Sequence, residues 1–361
     1  MSQRLNNMHS ADDSSDEAGP PAQRARQRLW GIAFRGAVTS SILVYLAYKI
    51  DWPLLASQMA RANYVWLFLA CLLFGLTYLL AAVRWWFLMR VQKIHLPLRV
   101  AAALTLIGQF FNSFMLGAIG GDIVKAVYLH KYAPRQKTHA ALSIIMDRVI
   151  GLFVLLCASL LSMPWQFQSS VQSHQAEDAT FGLLVVFGII AGGAVAMATV
   201  PFHRAPKSFH AIWRRLPHRH VLELVVSGFR QHGAALHLTL AGVAAGAALT
   251  FILVLAGYCI AKGIGLNVTY LQLLVIMTVA ICVISLPISI GGHGVREGIF
   301  VLMFAVFGII SVDRHSGSGQ EPAILFSLLF FAIPMVWSLV GAVVYLTFRH
   351  EYGPVFSGPP G

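Results

Sequence analysis

Two glycine-rich stretches place charged side chains directly beside long apolar runs. The later stretch, Pro287 to Glu297, reads P-I-S-I-G-G-H-G-V-R-E and ends on an arginine followed by a glutamate. The earlier stretch, Gly117 to Lys125, reads G-A-I-G-G-D-I-V-K, so charge again follows a glycine break. Ionisable residues inside membrane segments are costly and mark binding or transport sites. We therefore interpret the two breaks as facing halves of one site.

The residue types at both breaks suit an anionic or polar group. Glycine lets the backbone approach a ligand closely, and a helix that starts after the break directs free N–H groups at it. Arg296 offers a planar fork that suits phosphate or carboxylate, while Lys125 shares a helix face with Asp122. The alternatives are that the glycines permit tight helix packing, and that Arg296 forms an internal ion pair with Asp122 or Glu297.

A further charged pair, Asp147 and Arg148, lies within the early part of the outward apolar run Thr138 to Met163. Adjacent residues point about 100° apart on a helix, so we predict Arg148 toward the site and Asp147 toward a structural lysine. The alternative is that both extend to the membrane interface. We interpret His293 as a neutral polar lining residue. The predicted substrate-binding residues are Gly120, Gly121, Asp122, Lys125, Arg148, Gly291, Gly292, His293, Gly294, Arg296 and Glu297.

The composition is that of an integral membrane protein. Of the 361 residues, 57% are hydrophobic and 11% charged, whereas soluble domains carry about 25% charged residues. The net charge of +12 comes from Lys and Arg gathered in particular loops, which the positive-inside rule explains without nucleic acid. The four cysteines lie in apolar runs without paired spacing and are predicted to pack as free thiols. No zinc spacing, Walker motif, nucleophile elbow or dinucleotide fingerprint occurs, so we predict no metal, cofactor or catalytic residue.

The apolar runs beside the two breaks are too short to cross a bilayer, which takes about 20 helical residues. Val100 to Met115 precedes the first break, and Leu271 to Leu286 and Gly298 to Ile310 flank the second. Backbone broken at membrane depth must be buried in protein or line a cavity. Basic residues on both sides of the first unit favour a hairpin that returns to the cytoplasm. We predict two re-entrant hairpins of opposite sense, an inverted repeat with its site near the midplane.

The remaining apolar runs are predicted to span the membrane, which makes the fold an all-α, polytopic helical bundle. These runs are Gly36 to Tyr48, Tyr64 to Val83, Thr138 to Met163, Phe181 to Val200, Leu238 to Ala261 and Ala323 to Phe348. Basic loops place both termini in the cytoplasm. We divide the chain into a disordered tail at 1–28, a transmembrane domain at 29–350 with a basic cytoplasmic loop at 201–237, and a short tail at 351–361.

These motifs resemble a known family, the lysylphosphatidylglycerol synthase transmembrane region, also called the flippase-like domain. The matching stretches are Ile119 to Asp122, Asp147 to Gly151 and Pro287 to Glu297. The chain departs from the family pattern at two places. Leu116 and Gly117 stand where proline is frequent, and Lys125 stands where arginine is frequent. A lysine there would make a single phosphate contact rather than a forked one.

The resemblance implies a membrane lipid as the substrate, moved across the inner (cytoplasmic) membrane of the cell. Aminoacylated phospholipids, hopanoids and polyprenyl-linked carriers are the lipids that it suggests. Some members carry a cytoplasmic aminoacyl-transferase domain; this chain reaches Gly361 soon after its last span, so we expect a translocator and not an enzyme. A second copy of the chain and a lipid-synthesis enzyme are the candidate protein partners. The alternatives are an intramembrane enzyme or accessory subunit that acts on lipid headgroups, with Asp122 or Glu297 as acid or base, and a small-solute transporter.

The predicted topology can be tested by labelling single cysteines in a background without the native ones. Arg135→Cys should react with a membrane-impermeant reagent only from the cytoplasm, and Ser318→Cys only from outside, because the two loops follow hairpins of opposite sense. Reaction of Arg135→Cys from outside would overturn the first hairpin.

Overall fold

The computed structural model describes residues 52–114, 120–132, 137–167, 182, 185, 188, 231, 235–284, 294–311 and 319–352. These residues form helices and their connections, and no strand occurs among them. The helices are α1 (Trp52–Ala60), α2 (Tyr64–Val91), α3 (Leu98–Phe114), α4 (Gly120–Tyr132), α5 (Lys137–Phe167), α6 (Leu236–Gly263), α7 (Tyr270–Ile284), α8 (Val295–Val306) and α9 (Glu321–Tyr352).

The prediction of an all-α membrane bundle is confirmed. Four stretches within the described residues are long and apolar enough to cross a membrane, and they correspond to four of the predicted spans. They are Tyr64–Val91, Thr138–Ser162, Leu236–Gly263 and Glu321–Thr347. All four cysteines are free, as predicted, and two of them are fully buried. The predicted tails, the first span, the return span at Phe181 to Val200 and most of the loop at 201–237 lie outside the described residues.

The end predicted for the second span was wrong. The apolar pattern predicts a span that ends at Val83, with the basic residues after it in a cytoplasmic loop, but α2 continues to Val91. Arg84 therefore lies inside the helix. The helix continues because the side chains of Trp85 and Leu88 are fully buried on its inner face, so the turn that carries the arginine is held by packing.

Two long antiparallel helices, α2 and α6, form the scaffold of the bundle. The backbone N–H of Asn63, before α2, donates to the carbonyl of Gly263 at the end of α6 over 2.7 Å. Near the other end, a side chain at Gly242 would meet Leu88 at 3.1 Å. Small residues at such contacts let membrane helices approach closely and gain dispersion energy. The two helices are therefore in contact along most of their length.

The first hairpin, α3 and α4, enters beside the end of α2 and reaches the middle of the bundle. At its base, the Trp86 indole donates to the carbonyl of Leu96 over 2.8 Å. Near its tip, the hydroxyl oxygens of Ser113 and Ser338 lie 2.6 Å apart, and Ser338 stands about midway along α9. The hairpin tip therefore lies at the depth of the centre of the last span.

The second hairpin, α7 and α8, enters from the other end. The connection from α6 leads directly into Tyr270, whose hydroxyl donates to the carbonyl of Phe251 over 3.1 Å. Phe304 packs on Phe326 near the start of α9, while Arg296, nearer the break, contacts Phe331 further along α9. The two hairpins therefore enter with opposite senses, as predicted, and their broken ends converge near the centre of the bundle.

The close contact between α3 and α4 can be tested by enlarging a glycine where the two helices cross. A side chain at Gly121 would lie 2.0 Å from the carbonyl oxygen of Gly108, which is backbone and has to shift. Gly121→Ala should therefore lower the free energy of unfolding by about 1–3 kcal/mol, the cost of overpacking. Gly298→Ala in α8 is the matched control, because nothing lies within 4 Å of that position. Equal melting temperatures of the two variants in detergent would contradict the crossing.

Candidate functional site

A cavity of about 470 Å³ lies where the broken ends of the two hairpins converge. Its charged lining residues are Arg84, Asp122, Lys125, Asp147, Arg148 and Arg296. Its neutral polar lining residues are Thr77, Tyr78, Thr105, Gln109, Asn112 and Ser113. Its apolar wall comes from α2, α6, α7 and α9. The structure thus brings five predicted charged residues, from α4, α5 and α8, into one cavity.

The adjacent Asp147 and Arg148 of α5 bind in opposite directions. The Asp147 carboxylate accepts from Arg84 Nε of α2 over 2.7 Å. Both Nε and Nη2 of Arg148 lie 2.9 Å from Asp122 Oδ2 of α4. The prediction that these neighbours need different partners is confirmed. The hydrogen-bonded partner of Asp147 is Arg84 and not the predicted lysine, while Lys125 interacts with the same carboxylate electrostatically. Through these two bonds α5 connects the long span α2 to the first hairpin.

The two ion pairs differ in their exposure. The side chains of Arg84 and Asp147 are 11% and 13% exposed, whereas those of Arg148 and Asp122 are 45% and 17% exposed. A buried pair leaves a costly charge when one partner is lost, while a half-exposed pair is worth little. The Arg84–Asp147 pair is thus suited to hold the bundle together, and the Arg148–Asp122 pair is suited to open for a ligand.

Two glycines make room for Arg84, a cavity residue that is absent from the residues predicted for the site. A side chain at Gly151 of α5 would lie 2.7 Å from the Arg84 guanidinium, and one at Gly246 of α6 would lie 3.3 Å from its stem. The arginine therefore passes between two helices at positions without side chains. In the sequence, Gly151 one turn after Asp147 is the only hint of this contact. It indicates Arg84 only when it is known that α2 packs beside α5.

Lys125 lies beside both ion pairs. Its ammonium nitrogen stands 4.8 Å from the ring centroid of Trp85, and it interacts electrostatically with the carboxylates of Asp147 and Asp122. A side chain at Gly108 would lie 2.9 Å from its Cε, so the glycine of α3 leaves space for the lysine stem. The face of an indole ring attracts a cation, most strongly when both are desolvated. The ring thus holds the ammonium group next to the cavity.

At the second break, Arg296 and Glu297 form one buried cluster. The Gly294 N–H donates to the Glu297 carboxylate over 2.6 Å, and Gly294 has a φ of 81°, which favours glycine. Arg296 donates to Glu297 Oε1 and, through Nε over 3.0 Å, to Ser327 of α9. Its guanidinium also lies 4.7 Å from the ring centroid of Phe331. Of the two partners weighed for Arg296, the structure selects Glu297 and not Asp122.

The glycines of the predicted site have different positions. Gly120 and Gly121 are buried at the start of α4, where the Gly121 N–H donates to the Asn112 side chain over 2.8 Å. Gly294 caps α8. Their N–H groups and close contacts are thus used to position the charged helices. Gly291, Gly292 and His293 lie outside the described residues. The neutral polar lining residues, which no motif marked, come from the faces of α2 and α3 and could be identified only from the packing.

Comparison with known proteins identifies the family. The model of the family described as the lysylphosphatidylglycerol synthase TM region matches residues 32–341. The chain belongs to this family. The match covers all charged residues of the cavity, and the family has a membrane-lipid-related function. No curated protein sequence and no solved structure matches the chain.

The exposures of the two α5 ion pairs predict losses of stability of unequal size for substitutions at Asp147 and Arg148. Asp147→Asn should lower the free energy of unfolding by about 3–5 kcal/mol, because it leaves Arg84 buried without its partner carboxylate. Arg148→Gln should cost at most about 1 kcal/mol, since that pair is half exposed. Thermal unfolding of the purified variants measures both. A larger loss for Arg148→Gln would contradict these roles.

Proposed function

We propose that this protein is a lipid translocator of the cytoplasmic membrane, which moves a lipid with a polar or anionic headgroup. The observation that carries the proposal is the cavity between the two hairpins, where cationic side chains and apolar walls meet near the centre of the bundle. Inverted hairpins with a site between them are a recurrent design of transporters that alternate access between the two sides.

The charged half of the cavity suits the headgroup. Arg148, Lys125 and Arg296 come from three different helices and all line the same space. Guanidinium and ammonium groups bind phosphate strongly when water is excluded. Gln109 and Asn112 add amide groups at the tip of the first hairpin, where they can bind hydroxyl or carbonyl oxygens of a headgroup.

The apolar half favours a lipid over a small solute. It consists of Phe74, Leu249, Leu253, Ile281, Ile284, Phe330, Phe331 and Pro334. A wholly polar solute would leave these side chains without apolar contacts, whereas the glycerol and first methylene groups of a lipid can cover them. In the proposed cycle the headgroup enters the cavity while the acyl tails stay in the bilayer.

We propose transport without a chemical step. The two carboxylates that could act as acid or base, Asp122 and Glu297, each form an ion pair with an arginine. In the proposed role they hold Arg148 and Arg296 in place while the cavity is empty. The more exposed Arg148–Asp122 pair opens when phosphate binds. The proposed protein partner is a second copy of the chain or a lipid-synthesis enzyme.

The movement can involve α9 as well as the hairpins. Pro334 interrupts the hydrogen bonds of this helix at the cavity, because proline has no backbone N–H. The same helix contacts the first hairpin through Ser338 and the second through Ser327. A bend at Pro334 would therefore move the two contacts relative to each other. In the proposed cycle this links opening of the cavity toward one side of the membrane to its closing toward the other side.

The proposed function is tested with purified protein in vesicles that contain a fluorescent anionic phospholipid in both leaflets. The protein should make the inner-leaflet pool accessible to a membrane-impermeant quencher. Addition of lysyl-tRNA and phosphatidylglycerol should produce no lysyl lipid. Protein-free vesicles are the control. Failure to move lipid, or appearance of the lysyl lipid, would contradict the proposal.

Arg296 variants separate its role in transport from its role in the ion pair. Arg296→Gln should abolish lipid movement and lower the melting temperature, because the Glu297 carboxylate stays buried without its arginine. The double variant Arg296→Gln/Glu297→Gln should recover part of the stability but no transport. Arg296→Lys should recover part of the transport, since the fork is lost but the charge remains. Transport by the double variant would mean that Arg296 is only a structural counter-ion.

A further inference from the structure

The charges at the cavity do not cancel among the described residues. Three carboxylates each contact an arginine, in the pairs Arg84–Asp147, Arg148–Asp122 and Arg296–Glu297. Lys125 is the additional cation. With Lys125 protonated, the described part of the cluster, with its three carboxylates and four basic side chains, carries one net positive charge at a depth where an uncompensated charge is costly.

The position of Lys125 makes it the group that a ligand charge can reach. It lines the cavity, and the Trp85 ring holds its ammonium nitrogen from one side at 4.8 Å. A ring face offers a cation less stabilisation than a phosphate oxygen does in a water-excluded site. Lys125 also interacts electrostatically with the carboxylates of Asp147 and Asp122, which already contact arginines. A ligand with one negative charge would thus add a strong contact to Lys125 and neutralise the cluster.

We propose that Lys125 selects lipids whose headgroup carries a single net negative charge, a phosphodiester without an ammonium group. This inference rests on the proposed function and names its substrate class. A zwitterionic headgroup brings an extra ammonium group, and a lysylated headgroup brings two. Each described carboxylate of the cluster contacts an arginine. Opening of the Arg148–Asp122 pair leaves the summed charge of the described cluster unchanged, so an added ammonium group would make that charge more positive. The protein therefore discriminates against aminoacylated lipids.

The first test compares short-chain lipids that differ in net charge, by the thermal stabilisation they give to the full-length protein at pH 8. Phosphatidylglycerol and phosphatidylmethanol carry one negative charge, phosphatidylcholine none, and lysyl-phosphatidylglycerol one positive charge. The two anionic lipids should bind alike and about tenfold tighter than phosphatidylcholine, the effect of one charged contact. The lysyl lipid should bind more weakly still. Equal binding of all four would overturn the proposal.

Variants of Lys125 provide the second test. Lys125→Gln should reduce the preference for phosphatidylglycerol over phosphatidylcholine about tenfold, and Lys125→Glu should reverse the order so that the lysyl lipid binds best. Lys262→Gln is the matched control, because Lys262 is also partly buried and lies 5.3 Å from an aromatic ring centroid, that of Tyr258, but does not line the cavity. An equal effect of Lys262→Gln would contradict a role for Lys125.

Two further outcomes separate this inference from the proposed function. If vesicles show lipid movement at equal rates for all headgroups, the translocator stands and the selection by Lys125 fails. If no lipid moves, the translocator itself fails. Glycerophosphoglycerol, the same phosphodiester without acyl chains, tests the source of the phosphate. It should stabilise the protein at least about tenfold less than the lipid, given the apolar wall, and equal stabilisation would identify a soluble phosphodiester as the ligand instead.

Discussion

The site exists because carboxylates and arginines from different helices neutralise each other inside an apolar bundle. Without a partner, a charge such as Asp147 would cost several kcal/mol at this depth. The Arg84–Asp147 pair is the most important of these contacts for the architecture, because it ties α5 to the antiparallel pair of α2 and α6. Once α5 is fixed, its next residue, Arg148, necessarily points toward the first hairpin and meets Asp122.

Glycines determine how close these charges can come. Gly151 and Gly246 leave a channel for the Arg84 side chain, and Gly108 leaves space for Lys125. A methyl group at any of these positions would lie within 3.3 Å of a charged side chain. The glycines therefore contribute by having no side chain, which leaves space for the charged groups. Close packing of the helices at these three positions allows the charged side chains to line the cavity.

In the second hairpin, the charged residues are positioned by hydrogen bonds at the start of α8. Gly294 takes a positive φ so that the chain can turn into α8, and Glu297 returns to bind the N–H of that glycine. The same carboxylate binds Arg296, so the helix start and the cavity cation share one anion. Arg296 is anchored further by Ser327 and Phe331 of α9. Helix α9 thus contacts both hairpins and has a proline near its middle, so a movement of one hairpin can be transmitted to the other through this helix.

The sequence by itself determined the membrane class, the four long spans within the described residues, the two broken hairpins and most of the charged residues of the site. These follow from local properties, namely apolar length, glycine breaks and the cost of charge among apolar neighbours. It could not determine the partners. Arg84 was assigned to a loop, the partner of Asp147 to a lysine, and the polar residues Gln109 and Asn112 to no site at all. Pairing depends on which helix faces which, and that is decided by the packing of residues far apart in the chain. Only the tertiary structure therefore showed that, within the described part of the cavity, Lys125 lies beside three arginine–carboxylate pairs as a further basic residue.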